Sequence, residues 1–533
     1  MALDDSPLPH HPPLGCLLIA SPQGHSGKTT VSLALCDLLK RRGLSIQPFK
    51  KGPDYIDPSW LTVAAGRRCR NLDLFLIPRD RLILSFWAAC QEADLALIEG
   101  AMGLYDGLDS HGTTAEIARL LKIPVLLVVN TTRMTTSIAA MVRGYQHFEK
   151  DIQIAGVILN YVSGSRHEKK LRDAVEKYCG IPVVGSLPKD QDLRIMERHL
   201  GLIPSPESND PEVWVERIGR KLKSQLDLDR ILTIAQTANP PHPTPLPKGA
   251  REEDGGPLPN VEREDSRRLF TEGQEGTDGS PGLSGSRGER NASEEIRESP
   301  LPRGERVGVR GSIGVRPRIG LLYDRAFNFY YPDNLDALVN EGAELIIINS
   351  LRDRLPRLDG LYIGGGFPEF FLKELEENCG LRKDIAEAVQ AGLPVYAECA
   401  GLMYLCRSIS WQDRSYEMVG VIPSEVKLSE KPEGHGYVVA EVVRGNPFLP
   451  VGLAVRGHEF HHSSIFRVEK LEFAYQIKRG KGITGKEDGI IYKNLFASYI
   501  HLHALGTPQW AEGFVSLASK EERSRQEVLN VNG

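Results

Sequence analysis

Short apolar strands alternate with amphipathic helices from about residue 15 to residue 187. Because this alternation lays helices across both faces of a sheet, it predicts an α/β domain with a mostly parallel β-sheet. A single helix over 213–234 is expected to close this domain. The predicted strands are 16–20, 46–49, 95–99, 125–130, 154–160 and 183–187.

The loop after the first predicted strand is typical of a phosphate loop. Residues 21–30 read SPQGHSGKTT and lead directly into a helix, although Pro22 occupies the position of the first glycine of the strict motif. Backbone N–H groups of the glycines can hold phosphates, Lys28 can reach the terminal phosphates, and Thr29 can bind Mg²⁺. We therefore predict an ATP site with Mg²⁺, formed by Gly24, Gly27, Lys28, Thr29 and Thr30.

Two later loops at the carboxyl ends of strands carry acidic side chains. Residues 49–58 read FKKGPDYIDP, and residues 97–107 read LIEGAMGLYDG. Such loops line the ligand crevice of an open parallel sheet, where carboxylates can serve Mg²⁺ and lysines can receive an anionic substrate. For Asp57 and Asp106, a solvated turn position is an equally good interpretation. The predicted substrate or Mg-phosphate residues are Lys51 (or its neighbour Lys50), Asp54, Tyr55, Asp57, Glu99 and Asp106, with Thr29, Asp54 and Glu99 as the Mg²⁺ ligands.

A cysteine interrupts a strand-to-helix transition in the second half of the chain. Residues 392–405 read GLPVYAECAGLMYL, a pattern that predicts a nucleophile elbow with Cys399 at its exposed tip. At a helix N-terminus, unpaired N–H groups and the helix dipole favour the thiolate. The alternative is a buried structural cysteine.

Two flanking segments supply the other parts of a thiol-dependent site. Residues 360–369, GLYIGGGFPE, run a strand into three glycines, so the N–H groups of Gly365, Gly366 and Ala400 can stabilise an oxyanion. Residues 497–503, ASYIHLH, end a strand with two histidines on one face, and one of them can act as a general base.

The order of triple glycine, cysteine elbow and late histidine resembles the triad-type class I glutamine amidotransferase domain, over about residues 313–525. The resemblance implies that Cys399 forms a glutamyl thioester, that His501 activates it, and that ammonia is released from L-glutamine. Better-known members carry a glutamate two residues after the histidine. His503 stands at that position here, which makes it the possible third triad member.

Four longer motifs narrow the resemblance: KGPDYIDP, EGAMGLYDG, GGGFPE and AECAGLMYL. Together they resemble the cobyrinic acid a,c-diamide synthase family, although Ala400 replaces a glycine that is usual there. The resemblance implies a dethiobiotin-synthetase-like ATP domain and ATP-dependent amidation, through acyl phosphates, of the a and c acetates of a corrinoid polycarboxylate in cobalamin biosynthesis. It also implies that Asn160 reads the adenine edge, while a structural cap is an equally good interpretation.

Three other functions stay open at this point. Two are sister enzymes, cobyric acid synthase and the enzyme that amidates nickel sirohydrochlorin. The third is a non-catalytic P-loop switch with a decayed amidotransferase domain, against which the presence of both Cys399 and His501 argues.

Composition excludes several classes of function. A net charge of −5 predicts no nucleic-acid binding, and eight cysteines without a Cys-x-x-Cys pair predict a reduced, cytoplasmic protein. The longest apolar runs, such as 123–129, fall far short of the roughly 20 residues that a membrane span needs. Residues 458–462, HEFHH, match a zinc-protease motif, but their context predicts a strand rather than the required helix.

Length and composition also predict the domain boundaries. The 533 residues are too many for a single core. Residues 236–312 are rich in Pro, Gly, Glu and Arg and repeat a short PLP-containing unit, which predicts a long disordered linker between the domains. Because acids and bases are mixed there, a basic interaction tail is disfavoured. The predicted segments are a tail at 1–14, the ATP domain at 15–235, the linker at 236–312, the amidotransferase domain at 313–525 and a tail at 526–533.

Overall fold

The computed structural model describes residues 15–107, 112–190, 197–198, 201–241, 316–468 and 470–531. The predicted N-terminal tail and nearly all of the predicted linker lie outside the described residues. Among the described helices, none has both the length and the apolar character needed to cross a lipid bilayer.

The first domain is built on one parallel sheet. Its strands are β1 (Gly15–Ala20), β2 (Ile46–Lys51), β3 (Arg70–Leu72), β4 (Leu95–Glu99), β5 (Val125–Asn130), β6 (Ile154–Val162) and β7 (Val183–Pro188), and two-residue strands β8 (Glu197–Arg198) and β9 (Gly201–Leu202) pair separately. The sheet order is β3-β2-β4-β1-β5-β6-β7. The predicted parallel sheet is confirmed. Within it only the three-residue β3 is missing from the prediction, and the short pair β8 and β9 outside it is not predicted either.

Helices cover both faces of this sheet. They are α1 (Lys28–Arg41), α2 (Ile56–Ala65), α3 (Arg79–Ala89), α4 (Thr114–Leu121), α5 (Ser137–Phe148), α6 (Ser165–Cys179), α7 (Pro211–Leu222) and α8 (Leu228–Ala235). Strand β1 shows why two layers are needed: Cys16 and Leu18 belong to one hydrophobic core, and Leu17 and Ile19 belong to the other.

The predicted single helix over 213–234 is wrong, because α7 and α8 are separate. Between them the chain hydrogen-bonds to β7: the Ser186 N–H donates to the Gln225 carbonyl, and the Asp227 N–H donates to the Val184 carbonyl, each at 2.9 Å. The Asp227 side chain then accepts the Arg230 N–H as an N-cap. These hydrogen bonds to the edge strand β7 thus separate the two helices, although the local sequence pattern favours one continuous helix.

The second domain contains a ten-stranded mixed sheet and a four-stranded sheet. The strands are β10 (Arg318–Leu322), β11 (Glu344–Ile348), β12 (Gly360–Ile363), β13 (Val395–Glu398), β14 (Cys406–Trp411), β15 (Arg414–Glu417), β16 (Ile422–Leu428), β17 (Gly434–Val442), β18 (Ala454–His461), β19 (Ser463–Phe466), β20 (Glu472–Arg479), β21 (Glu487–Tyr492), β22 (Leu495–Ser498) and β23 (His501–Leu502). The orders are β11-β10-β12-β13-β22-β21-β20-β17-β18-β23 and β15-β14-β16-β19. The parallel part, β11 to β22, carries the elbow at the end of β13.

The α-helices in the described part of the second domain are α9 (Pro332–Asn340), α10 (Leu372–Glu377), α11 (Cys379–Gln390), α12 (Ala400–Leu405) and α13 (Gln509–Val531). Residues 458–461 lie in β18, as the sequence context predicts. The two domains pack together. Arg70 Nη1 lies 2.8 Å from Asp333, Arg70 Nη2 lies 2.5 Å from Asp336, and the Tyr437 hydroxyl donates to Asp73 at 2.5 Å.

Candidate active sites

Cys399 stands at a sharp turn between β13 and α12. Its backbone has φ 49° and ψ −101°, a conformation that is rare outside strained functional positions. The Cys399 N–H donates to the Ser498 carbonyl at 2.8 Å and anchors the turn. At Gly401 a Cβ would lie 2.3 Å from the Ile363 carbonyl oxygen, so the turn requires glycine there. The backbone therefore has the shape of a nucleophile elbow.

The Cys399 side chain is buried at 6% exposure, not the exposed tip that the sequence pattern predicts. Burial raises the pKa of the Cys399 thiol, Glu369 adds to the rise, and the Ala400 N–H only partly opposes it. The expected thiolate at the helix N-terminus is therefore wrong for this geometry, because desolvation outweighs the pull of a six-residue helix. A neighbouring base has to take the thiol proton.

The imidazole of His501 lies beside the carboxylate of Glu398. Its Nδ1 lies 3.6 Å from Oε2 of Glu398, the residue immediately before the cysteine. Glu398 is itself fixed by three donors: the Tyr362 hydroxyl at 2.8 Å, the Tyr396 hydroxyl at 3.0 Å and the Leu502 N–H at 3.0 Å. These three hydrogen bonds hold the Glu398 carboxylate in place, so it can orient His501.

His503 does not take the third triad position suggested for it by the sequence. Its Nε2 lies 3.8 Å from Oδ2 of Asp333, and its ring packs 4.6 Å from the Tyr331 ring. Strand β23 ends at Leu502, so His503 lies outside the strand. The alternation that would put both histidines on one face therefore does not extend to His503. The carboxylate beside His501 comes from β13 instead, where Glu398 pairs with Ser498 of β22 in the parallel register.

A pocket with an empty volume of about 370 Å³ opens beside the cysteine. Cys399, Gly366, Phe329, His461 and His462 all contribute to its wall. The pocket therefore has a predicted oxyanion donor, the predicted nucleophile and two imidazoles in its wall.

The other two predicted oxyanion residues, Gly365 and Ala400, are chain neighbours of the pocket residues Gly366 and Cys399. The Ala400 N–H acts on the Cys399 sulfur itself. At Gly365 a Cβ would lie 2.6 Å from Cε1 of His501, so glycine is needed there to admit the imidazole. The Gly365 carbonyl accepts the Asn328 and Phe329 N–H groups, each at 3.1 Å, which fixes the glycine strand in place.

The phosphate loop begins the second site. Gly27 has φ 92°, a left-handed conformation that favours glycine, and Gly24 and Thr30 lie on the same loop and first helical turn. The Lys28 ammonium folds back over the loop and donates to the Ser21 hydroxyl at 2.8 Å and the Met102 carbonyl at 2.6 Å. Lys28 is thus held against the loop where phosphates would bind.

Asn160 and Asp106 support the loops that surround this site. Asn160 Nδ2 donates to the Ser26 carbonyl at 2.9 Å, and its Oδ1 accepts the Tyr161 N–H at 2.8 Å. These contacts favour the structural role of Asn160 over adenine recognition. Asp106 accepts the Gly103 N–H at 2.7 Å and closes a turn, which favours the turn interpretation for it.

A buried lysine stands at the centre of the acidic loops. Lys50 Nζ lies 2.5 Å from Asp57 Oδ2 and 2.7 Å from Glu99 Oε1. Thr29 Oγ1 donates to Glu99 at 2.8 Å and lies 3.4 Å from Asp57. We call Thr29, Lys50, Asp57 and Glu99 the acid–lysine cluster. Burial lowers the pKa of Lys50, but Asp57 and Glu99 outweigh it and raise this pKa well above its usual value.

Three predicted loop residues lie at the margin of the acid–lysine cluster. Asp54 Oδ1 accepts the Ile56 and Asp57 N–H groups at 2.8 and 3.2 Å, and its Oδ2 is 3.7 Å from Lys50 Nζ. Burial, reinforced by Asp57, raises the pKa of Asp54 to about 7. Lys51 is buried, and burial lowers its pKa. The ring of Tyr55 points towards the second domain.

Comparison with known proteins matches both halves of the chain. Residues 17–203 match the CobQ/CobB/MinD/ParA nucleotide binding domain, and residues 318–509 match the CobB/CobQ-like glutamine amidotransferase domain. A protein of Magnetococcus marinus called cobyrinate a,c-diamide synthase is 41% identical, covering 93% of this chain and 95% of its own. The chain belongs to the cobyrinate a,c-diamide synthase family.

Relatives from two archaea carry the same name over similar lengths. The protein of Methanosarcina acetivorans is 39% identical and covers 96% of each chain. That of Archaeoglobus fulgidus is 37% identical and covers 95% of this chain and 98% of its own. Family membership therefore rests on similarity over both domains. The chain contains a nucleotide-binding domain and a glutamine amidotransferase domain.

Sequence reasoning missed Glu398 and left the choice between Lys50 and Lys51 open. Glu398 is a glutamate inside an otherwise apolar strand, directly before the nucleophile, and a buried acid in such a place is a signal in itself. Lys50 was weighed only as an alternative to Lys51. Strand alternation would have separated the two lysines, since neighbouring side chains in β2 face opposite sides of the sheet.

We expect nucleotide affinity to fall as the pH rises through about 8. Burial, aided by repulsion from Lys50, lowers the pKa of Lys28 to about 8. Lys28 is therefore charged below this pH and loses its proton above it, while a bound polyphosphate would favour the charged form. Calorimetric titration of ADP at pH 8.5, in buffers of different ionisation enthalpy, should show proton uptake. Lys28→Arg should abolish that uptake, and its absence in the wild type would contradict the assignment.

Proposed function

We propose that this chain catalyses the ATP-dependent and glutamine-dependent amidation of cobyrinate, or of its metal-free counterpart, at the a and c acetate groups in cobalamin biosynthesis. Its co-substrates are ATP and L-glutamine, so we place the reaction in the cytoplasm. The observation that carries the proposal is that one chain joins a cysteine elbow, and a histidine beside Glu398, to a phosphate loop with an acid–lysine cluster over nearly the full length of its relatives.

The first half-reaction yields ammonia from glutamine. The Cys399 thiol gives its proton to His501, and its sulfur attacks the side-chain amide carbon in the pocket that both Cys399 and Gly366 line. The charge that develops on the carbonyl oxygen is stabilised by N–H groups at Gly366 and Ala400. Proton return from His501 to the leaving nitrogen releases ammonia and leaves a glutamyl thioester, which water hydrolyses to glutamate.

The second half-reaction activates an acetate carboxylate. Its oxygen attacks the γ-phosphorus of ATP and displaces ADP, which gives an acyl phosphate. Ammonia then attacks the carbonyl carbon and displaces phosphate. Lys28 holds the transferring phosphate, and Lys50 can neutralise charge on either the phosphate or the acetate. Phosphorylation is needed because oxide is too poor a leaving group for direct amide formation.

The acid–lysine cluster also fits Mg²⁺. Thr29 Oγ1, Asp57 Oδ2 and Glu99 Oε1 are hard oxygen donors that lie together, and within the described part of the chain no donor reaches Glu99 Oε2, although that oxygen is buried. When bound, Mg²⁺ would supply positive charge that offsets the negative charge of the transferring phosphoryl group. Asp57 therefore replaces Asp54 in the proposed ligand set, since Asp54 caps the first turn of α2.

Mass spectrometry of the product tests the proposal directly. Cobyrinic acid incubated with the enzyme, Mg-ATP and glutamine should gain two amides. A chain that leaves cobyrinic acid unchanged but amidates the diamide or nickel sirohydrochlorin would be a sister enzyme with the same mechanism. Failure to consume ATP with any of these substrates would favour the non-catalytic switch.

Glu398→Gln should lower the rate of glutamine hydrolysis by about 10²-fold or more, as loss of the charged partner does in other triads. The variant keeps the shape of the side chain but cannot stabilise protonated His501. We expect the effect in kcat rather than in KM for glutamine, with ammonium-dependent amidation retained. His503→Gln is the matched control and should change glutamine hydrolysis far less; equal losses would contradict the assignment of Glu398.

A further inference from the structure

Tyr55 belongs to the acidic loop of the ATP domain, but its ring packs inside the amidotransferase domain. It stacks on Phe329 with ring centroids 5.0 Å apart and an angle of 6° between the planes. It also lies 5.4 Å from the His501 ring and 4.7 Å from the Tyr331 ring. One side chain of the nucleotide domain thus contacts the imidazole assigned above as the glutaminase base.

The position of His501 depends on its packing. Its ring stacks on His458 at 4.8 Å and 19°, lies against the bare backbone of Gly365, and contacts Tyr55. Glu398 is 3.6 Å away, too far for a short hydrogen bond to hold the ring alone. The Tyr55 ring therefore helps to fix the position of the His501 imidazole. Its stacking partner Phe329 lines the cysteine pocket.

The backbone of Tyr55 connects its ring to the acid–lysine cluster. The residue lies between Asp54, whose carboxylate accepts the Ile56 and Asp57 N–H groups, and Asp57, whose carboxylate lies 2.5 Å from Lys50 Nζ. Mg²⁺ and Lys50 would compete for the same carboxylate oxygens, so binding of Mg-nucleotide has to rearrange these contacts. Because Tyr55 is the N-cap of α2 and Asp57 lies in the first turn of that helix, such a rearrangement acts directly on the Tyr55 ring.

Resting on the function proposed above, we propose that Tyr55 is a positioning residue that couples the two sites. It transmits occupancy of the nucleotide site to His501, so that glutamine hydrolysis responds to bound Mg-nucleotide. This coupling limits the waste of ammonia when no acceptor can be activated. The ring, not the hydroxyl, carries the effect, since the contacts to Phe329 and His501 are contacts between rings.

The test measures glutamine hydrolysis by the full chain without any corrinoid, with and without a non-hydrolysable Mg-ATP analogue. In the wild type the analogue should change kcat for glutamine by about fivefold or more, a usual size for coupling between sites. Tyr55→Phe keeps the ring and should keep this response. Tyr55→Leu and, from the other domain, Phe329→Leu should lose it, while thermal melting shows that both variants are folded.

Three results would overturn the coupling role: no response of the wild type, a full response of Tyr55→Leu, or equal loss in Tyr55→Phe and Tyr55→Leu. Nucleotide affinity is measured in each variant. If Tyr55→Leu no longer binds the analogue, the response of Phe329→Leu decides, because Phe329 lies outside the nucleotide domain. Product analysis with cobyrinic acid tests the proposed function separately, since the hydrolysis assay contains no acceptor.

Discussion

Replacing Cys399 by alanine is expected to abolish glutamine-dependent amidation while amidation from added ammonium salt persists. In the proposed mechanism the thiol forms the glutamyl thioester, and within the described part of the chain no second cysteine lines the pocket. In the same proposal the acceptor carboxylate is activated in the other domain by the acid–lysine cluster, which the substitution does not change. Parallel assays of amide formation with glutamine and with ammonium salt would separate the two activities.

Cys399→Ser is the matched variant, because it keeps a side chain of similar size on the strained turn. It should hydrolyse glutamine very slowly, since a serine hydroxyl is a weaker nucleophile at neutral pH than a thiol with the same base. If both variants also lost ammonium-dependent amidation, with a lowered melting temperature, Cys399 would be structural and the elbow would have no chemical role.

Much of the fold follows from local pattern, and its exceptions have physical causes. The apolar runs of the first domain predict six of seven strands because a sheet covered on both faces requires them to be hydrophobic throughout. Strand β3 has only three residues, too few to show a period. The break between α7 and α8 arises from hydrogen bonds to the distant strand β7, which no local propensity contains.

The site residues also divide into those that a local motif marks and those that depend on contacts between distant parts of the chain. Cys399, Lys28 and Thr29 are marked by motifs, since a tight turn or a phosphate loop needs particular residues at fixed spacing. The pairing of Glu398 with His501 depends instead on the register of β13 with β22, which brings together residues more than one hundred positions apart. The contact of Tyr55 with His501 depends on how two domains pack, and no motif in either domain encodes that.

The charge of Glu99 should be needed for amidation from either nitrogen source. Its Oε1 accepts the Thr29 hydroxyl at 2.8 Å and lies 2.7 Å from Lys50 Nζ, so it joins the phosphate loop to the acidic loop. Burial raises the pKa of Glu99, and Lys50 opposes this rise, which makes the lysine the main support of the charged form. Glutamine in its place would keep the shape of the side chain but remove a charged ligand from the proposed Mg²⁺ site.

Glu99→Gln is therefore expected to lower both glutamine-dependent and ammonium-dependent amidation by about 10³-fold, the scale of losing one preorganised electrostatic contact in a dry site. Glutamine hydrolysis without nucleotide should survive, which is the reverse of the Cys399→Ala pattern. Asp106→Asn is the control, since Asp106 closes a turn with Gly103 and should affect amidation far less. A Glu99→Gln enzyme that still amidates rapidly with ammonium salt would place the phosphoryl-transfer chemistry outside the acid–lysine cluster.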